Sequence, residues 1–408
     1  MSADSLLQRV TRAIEKMSIA WHGPQGPRAD RGENFPAVLM HLPIDPVLAP
    51  IAMLDFDPAN DRSRDAASRV IDAYHAAMRT PRSPAPSMWA GIEAQQAVFF
   101  KAVRDRDVPA VQETLARLFH THLIWGLGRV HPDTPGHIRG GQPEGVQIQL
   151  TDALVSLGEA TGAARITSIE QRGVDVHLAA LRVDIAALLA TVIDRTGLRL
   201  EMPEAGGNYG CLIDGKRVSI DTLVHGYTAY RLRQLGIDPA ARIVEIGGGY
   251  GCLAYVCRLN GFADYTIVDL PWVNLLQGYL LIMSLPPDSV SLFGEPDRPV
   301  KVRPFWEFGT LPDRSVDVVI NTDSLPEIGE ETGRQYITDI ARVIRRYFLS
   351  INQEAMAPYP GIGPQLHVNG LAAEEPRLRL LHRHRYWMRQ GYVEELFAPA
   401  DPAGRRPH

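Results

Sequence analysis

An apolar strand that runs without a break into a cluster of glycines limits this chain more than any other feature. The segment reads Ile243-Val244-Glu245-Ile246-Gly247-Gly248-Gly249-Tyr250-Gly251. Glycine lets the backbone approach a ligand with no Cβ in the way. The turn then opens a helix, whose first N–H groups have no partner inside the helix and point outward. Such a strand–turn–helix belongs in an open α/β sheet, where a nucleotide-type ligand lies across the crevice at the carboxyl ends of the strands.

The rhythm around it agrees. Predicted strands at Arg242–Ile246, Tyr265–Val268, Val316–Ile320 and Tyr347–Ile351 alternate with predicted helices at Tyr250–Asn260, Trp272–Ser284 and Glu331–Arg345. A further short strand is expected between Ser289 and Arg303. Alternation of this kind builds a parallel sheet with helices on both faces, joined by right-handed crossovers. Near the end, Arg377–Arg385 alternates loosely, and Tyr392–Phe397 follows a turn at Gln390-Gly391. That suits a hairpin at the sheet edge. A parallel sheet closed by an antiparallel last strand is the class I methyltransferase plan, an α/β Rossmann-like fold.

The first half of the chain lacks that rhythm. Helical patterns at Ser5–Met17, Ser63–Met78, Ile92–Arg104, Val108–Leu127, Leu150–Ala160 and Val174–Thr196 are parted by Pro- and Gly-rich breaks at Trp21–Pro36, Thr80–Ser87 and Pro132–Pro143. Glu204–Gly215 is Gly-rich and reads as irregular, and Asp221–Leu235 as the helix before the first strand. A length of 408 residues suits two domains. The expected division is a mainly α-helical N-terminal domain over 1–203 and a catalytic α/β domain over 204–408.

Composition narrows the partners. Net charge is -5, with 45 % hydrophobic and 22 % charged residues. A general nucleic-acid binder carries a basic excess, so no nucleic-acid partner is expected. No apolar stretch approaches the ~20 residues of a membrane span. Met1-Ser2-Ala3-Asp4-Ser5 lacks the basic-then-apolar pattern of a signal peptide, so a cytoplasmic protein with no membrane partner is expected. The three cysteines, Cys211, Cys252 and Cys257, argue against a disulfide framework. Cys252 and Cys257 without a second pair make no zinc knuckle.

The ligand follows from the glycine spacing. A dinucleotide fingerprint begun at Gly247 requires glycine at 252, where this chain has cysteine. The spacing is G-x-G-x-G, with an acid two residues ahead of the first glycine. S-adenosylmethionine (SAM) has no pyrophosphate to seat, and its amino-acid end is cationic. Glu245 can help hold that end directly or through water. Asp269, at the end of the second strand, can accept both ribose hydroxyls. The expected SAM site is thus Glu245, Gly247, Gly249, Tyr250, Gly251, Asp269 and Leu270, with Asn321 and Trp306 further along. Phe305-Trp306 could cover the adenine ring or simply fill core. Tyr209 and Tyr227 could close over SAM or the acceptor.

Three segments together carry a resemblance. They are Val244 to Gly251, Ile267-Val268-Asp269-Leu270-Pro271, and Asn321-Thr322-Asp323-Ser324-Leu325-Pro326-Glu327-Ile328. From about Asn208 to Asn352 the chain resembles the bacterial sugar O-methyltransferase family, a class I SAM-dependent group. Ile328 stands where that pattern has methionine. The resemblance implies SAM as cofactor and a hydroxyl of a sugar or glycosylated small molecule as acceptor. The helical half would cap the acceptor, form a homodimer interface, or do both.

Transfer to a hydroxyl needs a base for its proton. Glu327 is the first candidate because it falls in the family-like segment; Asp323 is second and His367 third. Glu327 also reads as an acid favoured at a helix start. Asp323 and Glu354 could jointly hold Mg²⁺, but there is no Asp-Asp pair, and no metal is expected. His120 and His122 would point to different sides of a helix, so with His131 and His137 they are not expected to bind one. The Arg- and His-rich run Arg379–Arg389 suits either an anionic acceptor or a solvated hairpin face. Two other functions stay open: methyl transfer to nitrogen, carbon or a non-sugar oxygen of another small molecule, and a SAM-fold binding subunit without catalysis.

Overall fold

The computed structural model describes residues 49–55, 60–79, 89, 91, 95–141, 143–166, 183–354, 356, 358–359 and 363–400. In chain order the first elements are β1 (Ile51–Met53), α1 (Asp61–Met78), α2 (Ala97–Arg104) and α3 (Val108–Ala116). Then come α4 (Thr134–Arg139), α5 (Glu144–Thr161), α6 (Ile185–Thr196), β2 (Tyr209–Ile213), β3 (Lys216–Val218) and α7 (Ile220–Gln234). The alternating part follows as β4 (Arg242–Ile246), α8 (Cys252–Leu259), β5 (Asp264–Asp269), α9 (Pro271–Ser284), β6 (Val290–Ser291) and β7 (Val300–Pro304). It continues with β8 (Val316–Thr322), α10 (Glu330–Val343), β9 (Ile344–Gln353), a two-strand ladder β10 (Pro358–Tyr359) and β11 (Gly363–Pro364), α11 (Val368–Glu374), β12 (Leu378–Arg385) and β13 (Tyr392–Pro399).

Two compact units share these elements. One takes the described residues of 1–56, 117–235 and 387–390, and the other those of 57–116, 236–386 and 391–408. A single boundary after residue 203 does not describe this division. The reason is α1, whose buried stripe includes Ala66, Ala67, Val70, Ile71 and Tyr74. It packs on α9 of the sheet unit, where Gly278 leaves room: a Cβ there would lie 3.0 Å from Val70 Cγ1. Ser63 Oγ and the Tyr279 hydroxyl meet at 2.7 Å inside that contact. Helix-start chemistry holds α1 in place, since Asn60 Oδ1 accepts from Ser63 N–H at 3.2 Å.

In the first unit α5 is buried on most of its faces and packs on both α6 and α7. Beside them β1, β2 and β3 form an antiparallel sheet. The β2–β3 turn is Asp214-Gly215, with φ of 47° and 74°. Asp-Gly is the pair that tolerates two successive positive φ values. The irregular segment expected at Glu204–Gly215 is therefore in part a hairpin. Two other expectations change here. The helix expected over Val108–Leu127 stops at Ala116, and two 3-10 turns follow at Leu118–His120 and His122–Ile124. Thr121 between them is extended, and Phe119 N–H is taken by Gly206 O at 2.9 Å. The loop expected at Pro132–Pro143 contains α4, started by Pro135, whose fixed φ suits a first turn. Ser5–Met17, Trp21–Pro36, Thr80–Ser87 and the first part of Val174–Thr196 lie outside the described residues.

The second unit holds an eight-stranded sheet in the order β12-β13-β9-β8-β4-β5-β7-β6. The pairs from β9 to β6 are parallel, and β13 is antiparallel to both β9 and β12. Apart from the two-residue edge strand β6, this is the class I methyltransferase order, with the antiparallel last strand inserted between its neighbours. Two strands, β6 and β7, occupy the interval where one was expected. Below the sheet, Val244, Val319, Phe348 and Phe397 share a core with Ile337 and Ile340 of α10. Burying each such side chain stabilises the fold by roughly 1.5–3 kcal/mol, so the central strands form a rigid floor for whatever sits at their carboxyl ends. No helix among the described residues is long and apolar enough to cross a membrane.

Candidate active site

The carboxyl end of β4 runs into Gly247, Gly249 and Gly251, all at positive φ (71°, 53° and 93°). That backbone path is strained for side-chain-bearing residues. A Cβ on Gly247 would sit 2.1 Å from Ser324 Oγ, and one on Gly248 2.6 Å from Ile267 Cγ2. Ser324 Oγ donates to Ile246 O at 2.9 Å, and Asn321 Nδ2 donates to the same carbonyl at 3.0 Å. The end of β4 and the loop after β8 are thus clamped together. Asn321 is fully buried in that clamp, and its Oδ1 has no partner among the described residues.

Asp269 closes β5 and takes three donors. Gly248 N–H and Gln277 Nε2 reach Oδ2 at 2.9 and 2.7 Å, and Leu270 N–H reaches Oδ1 at 2.7 Å. Gln277 also donates to Gly249 O at 2.9 Å. The carboxylate therefore shapes the glycine turn from below while lining the pocket above it. Burial pushes Asp269 up to about 6, against the pull of those three donors. Glu245 is buried beneath the turn and accepts from the Tyr265 hydroxyl at 3.0 Å. Burial raises it to about 8, and the nearby Asp269 adds to the rise. Among the described residues no lysine, arginine or histidine pairs with either acid.

An open cavity of about 600 Å³, the solvent at its mouth included, lies over this turn. Ile246, Gly247, Val268, Asp269 and Leu270 form its floor. Ser324, Leu325 and Ile328 line it from the loop after β8, and Thr332 and Tyr336 from α10. Ile328, the position where the resemblance has methionine, is thus a wall of the pocket. Phe305 and Trp89 complete it.

Several expected positions fall differently. Phe305, not Trp306, faces the cavity; Trp306 packs edge-on against Phe293 at 6.4 Å and Phe305 at 5.0 Å. Tyr250 is buried in the turn, and Gly251 caps the start of α8. Tyr209 and Tyr227 belong to the core of the first unit, where the Tyr209 hydroxyl accepts from His131 N–H at 3.0 Å.

The three base candidates are engaged in three ways. Glu327 ends a single 3-10 turn, Leu325–Glu327, and its Oε2 accepts from the Trp89 indole N–H at 2.8 Å. Trp89, Leu325 and Ile328 line the pocket, so Glu327 stands next to its wall without being one of the lining residues. Asp323 holds a positive φ of 59°, and its carboxylate accepts from the Tyr392 hydroxyl. His367 Nε2 meets Glu354 Oε1 at 2.9 Å. Glu354 also takes Arg383 Nη2 at 2.6 Å, so it is already occupied by cationic and imidazole partners rather than joined to Asp323 as a cation site. Trp89 was not foreseen: it lies beyond a proline-rich segment with no local pattern to mark it. The β8–α10 loop was singled out, but Ser324, Thr332 and Tyr336 within and after it were not.

No protein-family model matches this chain, and no curated protein sequence does either. Its likenesses are to solved structures. One is an S-adenosylmethionine-dependent methyltransferase from Mesorhizobium loti, at 11 % identity over 41 % of this chain and 96 % of that one, with a TM-score of 0.31. Another is magnesium protoporphyrin IX methyltransferase from Synechocystis PCC 6803 with bound SAH, at 14 % identity over 43 % and 81 %, TM-score 0.32. A third is the [4+2]-cyclase SpnF, at 12 % identity over 41 % and 80 %, TM-score 0.33. Likeness this distant identifies no activity, and the fold class stands on the strand order and register described above.

Proposed function

We propose that this chain is a SAM-dependent methyltransferase acting on a hydroxyl of a sugar or glycosylated small molecule. The observation that carries the reading is a pair of acids, the buried Glu245 and the half-buried Asp269, below and beside a glycine turn that opens into the pocket. Both are raised by burial, to about 8 and about 6, with no cation beside them among the described residues. A ligand that brings positive charge to this turn is favoured there. SAM carries an ammonium and a sulfonium, and when bound it supplies an electrophilic methyl group. The glycines let the turn pack this closely on its neighbours, since a Cβ at 247 or 248 would collide with Ser324 or Ile267, and Gly247 itself lines the pocket such a group would fill.

The chain's own residues would act as follows. Asp269 keeps one lone pair beyond its three donors for a ribose hydroxyl. Leu270, Phe305 and Ile328 offer apolar wall for the adenine. Glu327 removes the acceptor proton, and the indole of the pocket-lining Trp89 orients that carboxylate. Holding the hydroxyl in line and excluding water would supply much of the rate. The sugar acceptor rests on the resemblance of Asn321 to Ile328 alone.

The test is turnover. Purified protein with SAM and a panel of free sugars, glycosides, amines and carbon acids should form S-adenosylhomocysteine with a glycosidic or sugar hydroxyl. Turnover with amines alone would move the assignment to another acceptor class. Tight SAM binding with no turnover on any acceptor would support the non-catalytic subunit instead.

A further inference from the structure

We propose that His382, His384 and Glu394 form a site for one divalent transition metal of the zinc class, on the β12–β13 hairpin. The proposal does not rest on the SAM reading. Residues two apart on a strand share a face, so His382 and His384 stand side by side on β12. Their rings stack at 5.3 Å with an interplanar angle of 21°. In the antiparallel register His384 lies directly opposite Glu394, which places the carboxylate on the same face. A register shift between Leu380 and His382 re-aims the strand just before the two histidines, as bulges do.

The three ligand atoms converge. Glu394 Oε1 lies 3.4 Å from His384 Nε2 and 3.6 Å from His382 Nε2, and all three atoms fall within 4.8 Å of one another. Bonds of ~2.0–2.1 Å at the tetrahedral angle put ligand atoms about 3.3 Å apart. The cluster is thus close to the spacing a metal imposes, and needs only small side-chain shifts. His384 Nδ1 is 2.9 Å from the carbonyl of Arg385. A carbonyl only accepts, so Nδ1 carries a proton, and Nε2 is the nitrogen left to ligate a metal. Imidazole ligands are commonly oriented through the other ring nitrogen in this way.

Glu394 is fully buried while both histidines are partly exposed. The acid therefore sits at the bottom of the site and the two imidazoles at its mouth. Two nitrogens and one carboxylate oxygen suit zinc-like ions. Three protein ligands leave a fourth position for water or a ligand atom. The opposite face of the hairpin is separate, because there Arg383 bridges Glu395 and Glu354.

The full chain, stripped with chelator and dialysed, should bind one equivalent of Zn²⁺ by calorimetry. Its Co²⁺ form should show the visible ligand-field bands of a nitrogen–oxygen site. His382→Ala and His384→Ala remove partly exposed rings, so folding is checked by circular dichroism and melting without metal. Each should weaken Zn²⁺ at least about tenfold, the smaller loss seen even when an outer-shell partner is removed. The double variant should lose both the Co²⁺ bands and the zinc-induced rise in melting temperature. Should the double variant fail to fold, Glu394→Gln serves, keeping shape but removing the anionic ligand. No stoichiometric binding by the unaltered chain, or unchanged affinity in these variants, would overturn the proposal.

Discussion

Two groups of acids sit along the same sheet and reach opposite electrostatic states. At the glycine turn, Glu245 and Asp269 are raised by burial, and their partners are a phenol, backbone N–H groups and an amide. Toward the hairpin edge, Glu354 is held below the usual carboxylate range, first by its bond to Arg383 and then by His367. All three are carboxylic acids and the outcome is reversed, because among the described residues the hairpin region supplies cations to its acid and the glycine turn does not. A carboxylate paired with arginine is already neutralised and has little reason to attract a ligand. A buried carboxylate without a cation costs stability when ionised, and that cost falls when positive charge arrives. The contrast is what separates the candidate binding site from a structural network here.

Removing Glu327 should have the largest effect. Glu327→Gln should lower kcat by about 10²–10⁴-fold, the range of general-base catalysis, with SAM affinity nearly unchanged. Unchanged kcat, once an acceptor is known, would remove Glu327 as the base and turn attention to Asp323. The next effect contrasts the two regions directly. Asp269→Ala should weaken S-adenosylhomocysteine by at least about tenfold, since each hydrogen bond to a charged group contributes about 1.5–3 kcal/mol. Glu354→Gln should leave that affinity within about twofold. Equal losses in both would erase the distinction.

Stability against pH gives a third test. Glu245 has a folded value of about 8 against 4.5 for the ordinary group. Its raised value stabilises the fold fully below about pH 4.5, and that contribution is lost as pH rises to about 8. Glu245→Gln removes the titration. The variant should gain on the unaltered chain from about pH 4.5 to 8, by at most about 1.4 kcal/mol per unit, and then level off. A difference that stays constant with pH in denaturant melts would contradict the buried, cation-free acid. The smallest effect belongs to the α1–α9 contact: Tyr279→Phe should cost about 1 kcal/mol by leaving the buried Ser63 hydroxyl without its 2.7 Å partner.

What could be read from residues alone was local. Ile243 to Gly251 reports itself because strand, turn and helix start are contiguous, and β4 has the expected bounds. Asp269 followed from its place at the next strand end. The hairpin at Tyr209–Val218 is equally local, and Asp214-Gly215 is its signal. Other features are tertiary. Leu118 and Phe119 keep an apolar pattern beyond Ala116, so periodicity runs on, yet their burial against Gly206 belongs to a different element. α1 looks like any amphipathic helix, and only Gly278 shows what it packs on. Trp89 reaches Glu327 across 238 residues. His382 and His384 were legible as a pair, but Glu394 joins them only through strand register.

The most direct measurement is calorimetric titration of S-adenosylhomocysteine and SAM into the intact chain, run in two buffers of different ionisation enthalpy. One molecule should bind per chain. With SAM near pH 6, binding should release protons, because the cationic ligand draws Asp269 and Glu245 toward their ionised forms. No binding of either compound, or binding that survives Asp269→Ala unchanged, would contradict the assignment of this turn as a SAM site.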